Sequence, residues 1–91
     1  STTGFRAERS LRVERSLRRM VFEGNRAPLL VKPHPDVAMY VLENERDLLR
    51  RLEKAGGFGL ELRDDPLLRP DEFKLVVKSA GRDVTQQYAV A

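Results

Sequence analysis

The chain has 91 residues, 41% hydrophobic and 34% charged, with a formal net charge of +3. That is the size and balance of one soluble globular domain, too short for two independent cores and too apolar for disorder. It contains no Cys, which excludes disulfides, thiol nucleophiles and thiolate zinc sites within this segment. No apolar run approaches the roughly 18 residues a membrane span needs, and no apolar stretch follows the start, so neither a span nor a signal peptide is expected. A start on Ser1 without Met suggests a processed end or an excised fragment.

The positive charge is not evenly spread. Residues 1–26 carry Arg6, Arg9, Arg12, Arg15, Arg18, Arg19 and Arg26 against Glu8, Glu14 and Glu23, whereas residues 27–91 carry a slight acidic excess. The basicity therefore belongs to an N-terminal segment attached to an electrostatically ordinary domain, residues 27–91, with which it is expected to form one folding unit.

After a loose lead-in over Ser1–Gly4, Phe5 to Glu23 has helical spacing and no internal Pro or Gly. At about 100° per residue, Ser10, Val13, Leu17, Met20 and Val21 share one face and Arg12, Arg15 and Arg19 stand opposite. Gly24-Asn25 has the composition of a left-handed C-terminal cap. Leu29-Leu30-Val31, between Pro28 and Pro33, reads as a strand buried on both faces.

Pro33-His34-Pro35-Asp36 then turns into a second helix, with Pro35 and Asp36 suited to its first turn. Val37, Val41, Leu48, Leu52 and Ala55 line one side of it, and Glu45 falls inside that stripe. An unpaired buried carboxylate costs several kcal/mol, so a break near Glu43 to Arg46 is expected, or failing that a cationic partner for Glu45.

Gly56-Gly57 ends the helix and Phe58 to Leu62 alternates as a strand. Asp64 to Asp71 is a loop in which Leu67 and Leu68 plug one end of the core. Phe73, Leu75 and Val77 alternate, and Val84, Gln86, Tyr88 and Val90 alternate again after a Gly-containing turn, which reads as a β-hairpin. The sum is an α/β fold: an N-terminal helix followed by β-α-β-β-β. It forms a mixed four-stranded sheet packed with helices, a thioredoxin-like sandwich with strand order second, first, third, fourth.

Catalytic chemistry finds little footing. His34 is the lone imidazole and sits between two prolines, where shaping or capping the turn is the better reading. Asp64-Asp65 before Pro66 is a turn sequence more than a metal site. Gly56-Gly57-Phe58-Gly59 satisfies a GxxG pattern, but a strand follows it where a nucleic-acid clamp would need a helix. The arginine face is different, because guanidinium groups recurring every three or four residues can follow phosphates. Arg12, Arg15 and Arg19 are accordingly the RNA-binding candidates. Val13, Leu17 and Met20 are the candidates for a face that packs against the domain or another protomer. No catalytic residue and no metal ligand is assigned.

From Arg12 to Leu75 the chain resembles the C-terminal small domain of the RNase E/G family of endoribonucleases. The likeness is carried by the helix Leu11 to Val21, by Leu30 to Ala38 and by the stretch HPDVAMYVLENERDLLRRLE, His34 to Glu53. The Phe58 to Leu62 strand and the Asp64-Asp65 to Glu72-Phe73 segment complete it. The resemblance implies a non-catalytic assembly and RNA-proximal domain, in a cytoplasmic parent enzyme that cleaves single-stranded RNA in RNA processing and decay. It implies a homo-oligomeric parent with Mg and Zn held outside this segment, and RNA rather than membrane as partner. Ser1-Thr2-Thr3-Gly4 would then be the tail of a Cys-x-x-Cys zinc link lying before Ser1. The match fades beyond Lys78. A rival resemblance, to stator-type regulators of flagellar and type III secretion ATPases, includes the Lys78 to Val84 turn and implies a protein-binding scaffold domain.

Overall fold

Free of internal Pro and of Gly beyond residue 4, the N-terminal segment forms one long helix, α1, Thr2–Phe22. The computed structural model describes residues 2–90, and for residues 2 and 3 the backbone alone. The expected lead-in over Thr2–Gly4 is helical, not loose; Ser1 lies outside the described residues. One turn further on, the Arg9 guanidinium sits 4.6 Å from the centre of the Phe5 ring and supports this early start. The helix stops as the sequence predicts. Gly24 takes a φ of 81°, its N–H bonds to the Val21 carbonyl, and the Asn25 N–H reaches back to Met20. That pair of bonds is the Schellman arrangement, and only Gly adopts its left-handed step cheaply.

Strand β1, Leu29–Pro33, buries Leu29, Val31 and Pro33 and leaves Leu30 and Lys32 partly exposed. The expectation of burial on both faces is therefore corrected. The helices cover one side of the sheet only, and the other side carries Lys32, Glu61, Lys74 and Lys78 into solvent. On the covered side, Val13, Leu17 and Met20 of α1 form one core with Leu29, Val31, Leu75 and Val77 of the sheet.

Helix α2, Pro35–Asn44, and helix α3, Arg46–Gly56, are separated at Glu45, whose φ of −136° breaks the run. The break lets Val37 and Val41 on one helix and Leu48 and Leu52 on the other reach the core without burying the carboxylate between them. Glu45 stays half-exposed and accepts a hydrogen bond from the Ser10 hydroxyl at 3.1 Å. Its partner is a neutral hydroxyl, not a cation. Gly57, at a φ of 70°, ends α3, and Arg26 donates to the Gly56 carbonyl.

Strand β2 is shorter than its sequence pattern suggests. It covers Leu60–Leu62, while Phe58 turns into the core. It lies parallel to β1, with Leu29 opposite Leu60 and Val31 opposite Leu62. In the following loop Leu68 is buried as expected, but Leu67 is 93% exposed and plugs nothing.

Strand β3, Phe73–Val77, runs antiparallel to β1. The second hairpin arm differs most from its sequence reading, because strand β4 is only Arg82–Asp83 and Gln86–Tyr88 is a 3-10 turn. The cause is local. The Thr85 hydroxyl accepts the Leu75 N–H at 2.9 Å, taking the place of the next ladder bond, while Asp83 Oδ1 accepts the Thr85 N–H. The chain turns inward there and buries Val84 and Tyr88. The sheet order is β2-β1-β3-β4, a mixed, open four-stranded sheet with an N-terminal helix, as the sequence predicts. Among the described residues no helix is long and apolar enough to cross a membrane.

Candidate nucleic-acid interface

Helix α1 has two unlike sides. Ser10, Val13, Ser16, Leu17 and Met20 are buried, and Val13, Leu17 and Met20 are 7%, 1% and 0% exposed. Of the two packing partners named for these three residues, the structure shows the domain's own core. Directly opposite them, Leu11, Arg15, Arg18 and Phe22 form the outermost line of the helix.

The three arginines singled out from the sequence do not act alike. Arg15 is exposed and has no hydrogen-bond or ion-pair partner within the described residues. Arg12 is half-buried and equally without a partner. It stands at the rim of an open groove of about 620 Å³, shared with Lys74, Arg82 and the 3-10 turn. Arg19 is held on both sides: its Nε donates to Glu23 at 2.7 Å and its Nη1 to the Ala89 carbonyl at 2.9 Å. Arg19 therefore ties α1 to the C-terminal segment and has less of its guanidinium to offer a ligand. Arg18, passed over in the sequence reading, gives only its Nε to Glu14 at 2.8 Å, which leaves its terminal amino groups to solvent.

The acids of the groove are internally satisfied. Arg69 lies 3.7 Å from Asp71 and 3.2 Å from Glu72. Hydrogen bonds from the Thr85 hydroxyl and backbone hold the Asp83 carboxyl below the usual range, helped by Lys74 and Lys32. Among the described residues, Arg12 and Arg82 are the groove's cations with no hydrogen-bond or ion-pair partner, while Lys74 acts on Asp83 and Asp65.

On the open sheet face, Glu61 binds Lys78 at 2.8 Å and Arg63 at 2.6 Å; the Lys78 hydrogen bond is the main reason its pKa is lowered. Asp65 accepts the Leu67 N–H and pairs with Lys32 at 3.5 Å. The Leu67 bond leads in depressing its pKa. Asp65 thus opens a turn closed by the Leu68 N–H on its carbonyl, and Asp64 is the exposed residue before it. Among the described residues no three His, Asp or Glu side chains come together as a metal site.

His34 is the cap of α2: its Nδ1 accepts the Asp36 N–H at 3.1 Å. The glycines of the GxxG pattern end α3 and lead into β2, with Phe58 in the core. The feature the sequence reading missed is Phe22, which is 90% exposed at the end of α1. Its seven-residue spacing from Arg15 is the signal that places both on one line of the helix. No family model, no curated protein and no solved structure matches the chain.

Proposed function

We propose that the chain is a non-catalytic assembly and RNA-proximal domain of an RNase E/G-type endoribonuclease, a cytoplasmic homo-oligomer acting on single-stranded RNA. The observation that carries the RNA part is that Arg15, on the outermost line of α1, and Arg12, at the groove beside it, have no hydrogen-bond or ion-pair partner among the described residues. Guanidinium groups that fold formation leaves unused are the groups a phosphate backbone recruits. The resemblance between His34 and Glu53 supports the parentage, since that stretch supplies α2 and α3, the connection between the two parallel strands. On this reading nuclease chemistry and its metal ions belong to the parent's other domains, and the isolated chain cleaves no RNA.

Fluorescence anisotropy with a labelled single-stranded RNA at low salt tests the proposal. Binding should be weak and fall steeply with salt. The Arg12→Ala, Arg15→Ala, Arg19→Ala triple variant should reduce the log–log salt slope by about 1.4 to 2, at roughly 0.7 per lost phosphate contact with Arg19 contributing least. Equal binding by the triple variant and the wild type removes the RNA assignment. The scaffold alternative draws on the Lys78 to Val84 segment, a tight turn over residues 78–81 followed by β4, and it expects no RNA binding at all.

A further inference from the structure

We infer that Phe22 is a stacking platform for an unpaired base of single-stranded RNA, with Arg15 and Arg18 contacting the phosphates beside it. This rests on the RNA reading above and gives it a second, aromatic component on a line of the helix that the basic face alone does not define.

Phe22 has no folding role that its burial could express, being 90% exposed while the inner residues of the same helix are nearly sealed. A phenyl ring held in water is unfavourable by the apolar area it presents, so a partner that covers it is favoured. The surroundings of the ring select the partner. Arg18 is one turn before Phe22 and Arg15 two turns before, which at 1.5 Å per residue puts them about 6 and 10 Å along the axis. Among the described residues Arg15 is unpaired, and Arg18 gives Glu14 only its Nε.

An apolar protein surface laid along this line would meet Leu11 and Phe22 three turns apart with two guanidinium groups between them, and would have to bury charge to reach both. A single strand meets no such conflict. Its base offers a face to the ring, and its phosphates take the guanidinium donors, the combination that sequence-tolerant single-strand binding uses. The fixed end of α1 adds preorganisation, because the Schellman bonds from Gly24 and Asn25 hold the last turn in place.

The test compares Phe22→Ala, Phe22→Leu and Phe22→Tyr with the wild type by anisotropy on a labelled single-stranded oligonucleotide. A 2-aminopurine version of the oligonucleotide reports stacking through quenching of its fluorescence, and size-exclusion light scattering follows the oligomeric state. Phe22→Ala and Phe22→Leu are expected to weaken binding about 5- to 100-fold and to abolish the quenching, while Phe22→Tyr keeps both. Unchanged affinity and quenching in Phe22→Ala, with binding still lost in the arginine triple variant, overturns the stacking role and leaves the RNA reading standing. Absence of wild-type binding at low salt overturns both. A wild-type dimer that Phe22→Ala converts to monomer, with RNA affinity unchanged, also overturns the stacking role and assigns the ring to a contact between copies.

Discussion

The two sides of α1 are made by the same 21 residues under opposite constraints. On the inner side every position is decided by fit: Leu17 and Met20 fill the core, and Ser10 and Ser16 are small residues buried on the same side. On the outer side nothing in the fold chooses between Leu11, Arg15, Arg18 and Phe22 and four plain polar residues. A side chain that folding requires says little about partners, whereas one that folding tolerates at a cost in exposed apolar area says more.

The contrast is sharpest in stability. Leu17→Ala should lower unfolding free energy by about 2–5 kcal/mol, because it leaves a cavity beneath the helix. Phe22→Ala should stay within about 0.5 kcal/mol of the wild type. Urea melts of both variants measure the difference, and a large loss in Phe22→Ala would mean that the outer line also serves the fold. Thr85→Val comes next, at about 1–3 kcal/mol, since it leaves the buried Leu75 N–H without its acceptor; thermal melts follow it.

Ser16→Ala runs the other way. The Ser16 hydroxyl is buried and has no hydrogen-bond partner among the described residues, so its removal should be neutral or stabilise by up to about 1 kcal/mol in the same melts. The smallest effect is in acid. The Asp83 carboxyl is held below its ordinary pKa by Thr85, so its contribution is present above the unfolded value of about 3.9 and is lost as pH falls through the lower, folded value. Melts of Asp83→Asn between pH 5 and pH 2 should therefore show a flatter acid limb than the wild type.

Much of the fold was legible from the sequence, for reasons specific to particular residues. Periodicity over a long uninterrupted helix found the inner side of α1, and Glu45 in an apolar stripe announced the break between α2 and α3. The two-residue β4 was not legible. Val84, Gln86, Tyr88 and Val90 alternate like a strand, but the Thr85 side chain outcompetes the ladder for the Leu75 N–H, and alternation carries no signature of that exchange. One-sided burial of β1 was missed because Leu29-Leu30-Val31 is apolar throughout, and the cross-strand Lys32 and Lys74 that mark the open side lie far apart in sequence. Within the candidate site, the arginines were legible as a group. Their inequality was not, since Arg19 is tied down by a carbonyl seventy residues away.

The brevity of the outer strands has its own consequence. β2 offers three residues and β4 two, the Leu60 N–H is already taken by the Glu53 carboxylate, and the chain folds away from β3 at Val84. A sheet with such short margins gives another chain little to pair with. The domain is thereby protected against edge-to-edge aggregation even with one sheet face uncovered, and it should remain dispersed at the high concentrations that measuring a weak ligand demands.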